Sequence, residues 1–356
     1  MNKVALYNLN FSELSDLLKS WGAPSYHADQ LWKWLYRPGV GSFDAMTDLP
    51  LQLRARLADK TSLNMLTPVQ EEVSRDGETT KVLFRLRDGD TIESVSMRQP
   101  SGDGERHTVC VSTQAGCPIR CPFCATGQQG FRRDLSAGEL VEQVVFFAKS
   151  MPDRPVTNVV FMGMGEPLIN YNATIKAIHV LNSPQGFKLG ARHMTISTAG
   201  MVPGIKALAK EEVQVGLAIS LHASNDRLRD SLVPLNRRYP LKELISACRD
   251  YFNATGRRVT FEYTLFQGIN DSSRLAVQLA KLIKGTNSHV NLIPANPTPG
   301  GFPPSPRDRI IGFCEELKRN GIGATIRRSQ GSEIQAGCGQ LRGRIVTTSE
   351  GSGYSP

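Results

Sequence analysis

The sequence predicts an α/β protein, a partial (βα)6 barrel with a small helical N-terminal domain and a β-hairpin extension. Three observations lead there. From Thr108 onward, short apolar runs alternate with helical stretches, the pattern of a parallel sheet with helices outside. Before that, Val82, Phe84 and Leu86 alternate with other residues and Asp88–Gly89 supplies turn chemistry, so the segment 80–98 reads as a hairpin. Near the start, Phe11, Leu14, Leu17 and Leu18 recur at helical spacing.

The barrel strands are expected at 108–113, 158–163, 194–198, 216–222, 259–266 and 289–294, with helices such as 136–149 and 241–252 between them. A full eight-unit barrel takes roughly 250 residues, so an open barrel fits the remaining length better. The domain layout is then 1–75 helical, 76–100 hairpin connector, 101–345 barrel ending in a cysteine-bearing loop, and 346–356 a flexible tail rich in serine and glycine. A second N-terminal helical segment at 30–36 ends near Pro38 and Gly39. Its Trp32, Trp34 and Tyr36, beside Lys33 and Arg37, suit either a small-domain core or a nucleic-acid contact; core is the commoner use of such aromatics.

The chain has 356 residues and is 40% hydrophobic, enough for a large core. It carries 42 lysines and arginines against 33 acidic residues, a formal charge of +9. That excess weakly favours a polyanionic partner. Basic pairs at Arg132–Arg133, Arg237–Arg238, Arg257–Arg258 and Arg327–Arg328, with Arg342 and Arg344 later, suit solvated faces singly and a phosphate-tracking surface together. No apolar run reaches the 18 or so residues of a membrane span. Residues 1–11 hold no basic segment followed by an apolar stretch, so no signal peptide and a cytoplasmic location are expected.

Seven cysteines without a secretory signal point to metal binding or catalysis rather than a disulfide scaffold. Cys117, Cys121 and Cys124 form C-x3-C-x2-C just after the first barrel strand, and Gly116, Pro118 and Pro122 keep that stretch in a loop. Three thiolates on one short loop suit an iron–sulfur cluster. The competing reading is structural zinc, which wants a fourth ligand. Cys110 and His107 are the available candidates, and neither has ordinary zinc-site spacing. Further on, Phe161–Pro167 (FMGMGEP) ends the second strand on glycines and a carboxylate.

Four cysteines remain. Cys248 and Cys314 lie on apolar helical stripes and read as inert core. Cys110 shares a strand face with Thr108 and Ser112, toward the pocket or polar side. Cys338 sits between glycines on no apolar stripe, a poor place for packing and a good one for a mobile nucleophile. Glu93 falls on the same strand face as Val95 and Met97. It is either a buried carboxylate able to accept a proton or an edge carboxylate reaching water.

These stretches resemble the RlmN/Cfr family of radical S-adenosylmethionine (SAM) RNA methyltransferases over nearly the whole chain. The likeness rests on Thr108–Cys117, Cys121–Gly127, Gly163–Pro167, Ile196–Gly200, Ser220–Ala223, Cys338–Leu341 and the N-terminal Phe43–Pro50. It implies the radical SAM form of the barrel and one [4Fe–4S] cluster on Cys117, Cys121 and Cys124. It implies a SAM pocket of Gly165, Glu166, Ser197, Ser220, Leu221, His222 and Asn296, with SAM used twice per turnover. It makes Cys338 the methylated cysteine, Cys110 its resolving partner and Glu93 the proton acceptor.

The implied substrate is adenine C2 in the peptidyl-transferase region of 23S rRNA and in tRNA beside the anticodon. The implied electron donor is a flavodoxin or ferredoxin. Pro167, and Asn296–Pro297 followed by Gly300, look like the RlmN branch rather than the C8-methylating Cfr branch. Two rival readings are a radical SAM enzyme acting on a small molecule and a zinc-bound RNA-binding scaffold.

Overall fold

A computed structural model describes residues 3–36, 41–102, 104–327 and 330–343. Arg37, Pro38, Gly39, Arg328, Arg344 and the expected tail at 346–356 lie outside the described residues.

The chain begins with helices, as the spacing predicts. β1 (Val4–Ala5) pairs in parallel with β2 (Thr61–Ser62), and α1 (Phe11–Ser20), α2 (Tyr26–Tyr36) and α3 (Leu51–Lys60) lie between them in sequence. Asn10 and Glu13 close a reciprocal capping box on α1, whose Leu14 and Leu18 turn inward. Trp32 is fully buried, so the α2 aromatics serve mainly as core, while Trp34 is half-buried.

Helix does not run to residue 75. Leu66–Val73 is instead β3, an edge strand of the main sheet. Pro68 and the acidic pair Glu71 and Glu72 break any apolar alternation there, and edges are where proline and charge are tolerated. β3, β4 (Thr79–Leu86), β5 (Thr91–Ser101) and β6 (Gly104–Cys110) form an antiparallel meander. The expected hairpin is its centre, with Gly89 at φ +91° in the turn.

A small antiparallel pair follows, β7 (Gln114–Gly116) and β8 (Phe131–Asp134), with α4 (Ala125–Gln129) between them in the chain. The main sheet then continues in parallel from β6 through β9 (Asn158–Phe161), β10 (Met194–Thr198), β11 (Gly216–Ser220), β12 (Val259–Leu265), β13 (Ser288–Pro294) and β14 (Ala324–Ile326). Six of these seven parallel strands overlap the apolar runs, β6 only at 108–110 because it starts and ends earlier than its run. The seventh, β14, has three residues with only Ala324 buried, too short to leave a pattern.

Helices α5 (Ala137–Ser150), α6 (Tyr171–Asn182), α7 (Val202–Leu208), α8 (Asp226–Leu232), α9 (Leu241–Thr255), α10 (Ser273–Ile283) and α11 (Arg307–Arg319) lie on the crossovers. One strand face, including Phe161, Ile196, Ile219, Phe261 and Leu292, shares a continuous core with Val144, Ile178, Leu244 and Phe313 of the helices. The alternate face is polar. Ser220, Glu262, Asn291 and Thr325 stand in one cross-strand row. Asn291 Nδ2 donates to Glu262 Oε1 at 2.9 Å, and Thr325 Oγ1 donates to Asn291 Oδ1 at 3.0 Å. A barrel core filled by side chains would be apolar; this one leaves a polar lining.

The N-terminal helices belong to the same hydrophobic core as the barrel. Glu142 of α5 joins the two, accepting from the backbone N–H groups of Met65 (2.8 Å) and Leu66 (3.3 Å). Burial pushes its carboxyl from 4.5 up to about 7, opposed by those N–H groups. A carboxyl raised by folding stabilises the fold while protonated and loses that contribution as pH climbs from the unfolded to the folded value. Thermal melts of wild type and Glu142→Gln should therefore converge or cross with pH. Wild type is expected to lose up to about 1.4 kcal/mol per pH unit relative to the variant between 4.5 and about 7. A constant difference across that window would assign Glu142 no titrating role.

Candidate active site

The cysteine loop is a rigid frame. β7 and β8 clamp its ends, and Cys117 N–H donates to the Gly130 carbonyl at 2.9 Å. Gly116 adopts φ +80°, and a Cβ there would strike the Gly130 carbonyl, so only glycine starts the loop. At the other end a Cβ on Gly127 would press on the Cys121 backbone at 2.9 Å. Burial raises the Cys117 thiol to about 12 and the Cys121 thiol well above the usual range, and the Cys124 thiol adds to both. The three thiols are thus near enough to feel one another's charge. Among the described residues, no three His, Cys, Asp or Glu side chains converge on one metal ion.

The strand ends across from this loop carry the expected SAM-pocket residues. Gly165 has φ +104° and packs so closely on Gln114 that a Cβ would sit 2.6 Å from its side chain. Glu166 is buried and accepts from Ala199 N–H (2.6 Å) and Leu168 N–H (3.1 Å), which ties the end of β9 to that of β10. Burial raises its carboxyl to about 7 against those hydrogen bonds. A carboxylate has about four lone-pair sites, so capacity remains for a cationic ligand. Ser197 and Ser220 hydroxyls lie 3.5 Å apart.

His222 takes φ +57°, and its Nδ1 accepts from Thr264 N–H at 3.1 Å, which leaves the ring proton on Nε2. Burial and the Arg229 charge lower it to about 3, so the ring is neutral at pH 7. It stands edge-on to Phe123 of the cysteine loop, centroids 5.1 Å apart. Leu221 contributes wall rather than polar contact. Its side chain is fully buried, its N–H donates to the Glu262 carbonyl and its own carbonyl accepts from Arg229.

Gly337–Gly343 brings the distant parts together. Ala125 N–H donates to the Gly339 carbonyl at 2.8 Å and Thr126 Oγ1 to the Leu341 carbonyl at 2.7 Å, seating the segment on the cysteine loop. Asn296 Nδ2 donates to the Cys338 carbonyl at 3.2 Å, and Gln340 Nε2 to the Pro297 carbonyl at 3.0 Å. The Cys338 loop is therefore pinned on both sides despite its glycines. Cys338 itself is exposed, with neighbouring protein atoms crowding its thiol. Burial raises its thiol, and the Arg327 guanidinium opposes the rise.

Farther along the same segment, Arg342 and Gly343 N–H groups donate to Glu93 Oε2, the latter at 3.1 Å. Glu93 is thus buried, not an edge carboxylate reaching water, and Lys81 pairs with it at 3.2 Å. Cys110 lies opposite Val95, on the strand face that also carries Glu93. Burial pushes its thiol up to about 12, and the nearby Cys338 thiol adds to the rise. Both cysteines are free thiols. Cys248 and Cys314 are buried in the apolar core as expected.

Four functional-site neighbours escape sequence reading. Arg229 is fully buried on α8 and donates to the carbonyls of Leu221 (3.1 Å), Ala199 (2.6 Å) and Ser220 (3.2 Å) and to Asn236 Oδ1 (3.0 Å). Lys81 and Glu262 are buried on strands, and Arg327 pairs with Glu262 at 3.6 Å. Only Lys81 left a signal, a cation within an apolar strand. The basic pairs are partly spent on protein. Arg133 pairs with Asp88 and Glu139, Arg257 donates to the Val215 carbonyl, and Arg327 pairs with Glu262. Arg132, Arg237, Arg238 and Arg258 remain exposed.

An open parallel barrel with a three-cysteine loop beyond its first strand defines a radical SAM enzyme, and residues 111–279 match the radical SAM superfamily. Residues 4–63 match the ribosomal RNA large subunit methyltransferase N-terminal domain. The chain is 47% identical over 348 residues to the "Probable dual-specificity RNA methyltransferase RlmN" of Symbiobacterium thermophilum, covering 97% of this chain and 92% of that protein. It is 45% identical over 347 residues to the "Ribosomal RNA large subunit methyltransferase N" of Nitrosopumilus maritimus, covering 96% and 99%. A crystal structure of a radical SAM methyltransferase from Sphaerobacter thermophilus superposes with a TM-score of 0.93 at 52% identity, covering 96% of this chain and all of that one.

The chain belongs to the RlmN family of radical SAM methyltransferases. It is a SAM-dependent methyltransferase with an iron–sulfur and SAM cofactor system, which sets aside the zinc-bound scaffold. Among the described residues, no helix is long and apolar enough to cross a membrane.

Arg229 holds together the ends of β10 and β11. Arg229→Met strips four acceptors of their donor, two buried and two part-buried, and should cost about 3 kcal/mol or more in urea unfolding. Arg229→Lys should recover little, because a single ammonium cannot copy the guanidinium fork. A loss within about 0.5 kcal/mol would contradict that role.

Proposed function

We propose that this enzyme methylates C2 of adenine in 23S rRNA, in the peptidyl-transferase region, and in tRNA beside the anticodon. The observation that carries the proposal is the seating of Gly337–Gly343, which spans from the cysteine loop to Glu93 with Cys338 near Cys110. The relatives' printed names support RNA as substrate, and "dual-specificity" supports two RNA classes.

Cys117, Cys121 and Cys124 would hold one [4Fe–4S] cluster. The donor set fits by its chemistry: three thiols on one short loop, near enough for their charges to interact. With three protein thiolates the cluster would keep room to bind SAM directly. When bound, cluster and SAM supply one electron, out and back, and a hydrogen-abstracting carbon radical. Glu166, Ser197, Ser220, His222 and Asn296 would line the SAM side of the chamber, with Gly165 allowing close approach and Leu221 closing the wall. A flavodoxin or ferredoxin would deliver the electron.

Adenine C2 lies between two ring nitrogens and is too electron-poor to attack a methyl group. Cys338 sulfur makes that attack, taking a methyl group from a first SAM. Its thiol is raised by desolvation, so it must release its proton to solvent as it reacts, and the first SAM leaves as S-adenosylhomocysteine. After a second SAM is consumed, the methylene carbon on Cys338 bonds to C2. Glu93 takes the C2 proton. Cys110 then attacks the Cys338 sulfur, the carbon–sulfur bond breaks, and the released carbon gains one proton from solvent. A Cys110–Cys338 disulfide remains for external reduction.

Cys110→Ala should trap RNA on Cys338, seen as an RNA–peptide adduct by mass spectrometry. Cys338→Ala should give neither adduct nor product. Normal turnover by Cys110→Ala would overturn the resolving role.

A further inference from the structure

In the proposed reaction Glu93 takes up a proton although it is almost wholly shielded, only 3% exposed. Its neighbours on the sheet suggest where the proton goes. Lys81 on β4 is also 3% exposed, and its ammonium stands 3.2 Å from Glu93 Oε1 and 3.5 Å from Glu72 Oε2. Glu72 on β3 is the outermost of the three, its side chain 26% exposed.

The register explains the line-up. Glu72 lies directly opposite Lys81, and Leu83 lies opposite Glu93, so Lys81 and Glu93 are diagonal neighbours on one face. The three side chains cross three adjacent strands from the chamber to the sheet edge.

A lysine buried this completely needs charge compensation. One carboxylate would suffice for that, yet Lys81 bridges two. Glu93 Oε1 faces Lys81, while Oε2 is held by the Arg342 and Gly343 N–H groups. Those N–H groups belong to the segment that carries Cys338, so the acceptor is aimed relative to the reacting sulfur.

We infer that Lys81 is the positioning residue of a proton exit running Glu93–Lys81–Glu72. The inference rests on Glu93 being the acceptor in the proposed reaction. Lys81 fixes Glu93 Oε1 and balances its charge before reaction. After Glu93 has taken the C2 proton and become a neutral acid, Lys81 passes one ammonium proton to Glu72 and receives the proton from Glu93. Net, one proton moves from Glu93 to Glu72, Lys81 ends as it began, and Glu72 releases the proton to solvent.

The test is a single anaerobic turnover of the full-length, cluster-reconstituted enzyme on a 23S rRNA fragment with deuterium at the target adenine C2. Two rates are followed separately, covalent attachment of RNA to Cys338 and loss of C2 deuterium to solvent. Lys81→Met should attach RNA within about twofold of wild type but lose deuterium about 100-fold more slowly, the lower end of what a general base contributes. Lys81→Arg keeps the charge but cannot give up a proton, so it should attach RNA near the wild-type rate while deuterium loss stays slow. Glu72→Gln, at the sheet edge and safer for folding, should slow deuterium loss about tenfold with attachment unchanged.

Two outcomes overturn the inference: Lys81→Met losing deuterium at the wild-type rate, or Lys81→Met slowing both steps equally, which marks a structural role. Glu93→Gln run alongside separates the two layers. If it loses deuterium normally, the acceptor assignment itself fails. If it is blocked while Lys81→Met is not, only the exit fails.

Discussion

The seating of Gly337–Gly343 across the mouth of the barrel is the constraint on which the rest of the site depends. Cys338 is separated from the cysteine loop by most of the sheet in sequence. It reaches that loop because Ala125 and Thr126, in the helix that follows the loop cysteines, bind the backbone of Gly339 and Leu341. The same segment then lends two N–H groups to Glu93. One strip of backbone thereby sets the position of the Cys338 sulfur relative to both the three-cysteine loop and Glu93. Such bonds are individually modest, about 1 kcal/mol net, but their geometry is what a reaction at fixed distances requires.

The surrounding scaffold is arranged to keep that strip in register. The strand ends are not free loops but are laced together by buried polar groups, Glu166 between β9 and β10 and Arg229 between β10 and β11. Each is costly to bury and is repaid only when its hydrogen bonds are complete. The polar lining is confined to the inner strand face, whereas the outer face shares one core with the crossover helices and the N-terminal helices. A charged chamber can therefore exist inside a stable barrel, because the apolar stabilisation lies on the other side of the sheet.

Much of this was legible in the sequence wherever a residue pattern had one physical meaning. The six apolar runs mark strands because a parallel strand covered by helices must be apolar, and all six overlap one. C-x3-C-x2-C can only be a loop of ligands or a coincidence, and Cys338 between glycines has no packing role to play. The failures are equally physical. β3 is an exposed edge whose Pro68, Glu71 and Glu72 suit that position, so nothing in it alternates. β14 is three residues long. Arg229 and Glu262 look like surface charges because their partners are mostly backbone carbonyls in one case and residues on other strands in the other. Arg327 read as one half of a solvated basic pair, although its guanidinium reaches Glu262 and influences Cys338.

The central claim is that the methyl group reaches adenine C2 through a carbon held on Cys338. It is tested most directly by giving the reduced, reconstituted enzyme methyl-deuterated SAM with 23S rRNA and tRNA, then weighing the product nucleosides. Passage through Cys338 removes one deuterium and returns a solvent hydrogen. The account therefore predicts 2-methyladenosine carrying two of the three deuteriums. Product keeping all three would mean direct methyl transfer and contradict the account, and 8-methyladenosine would contradict the C2 assignment.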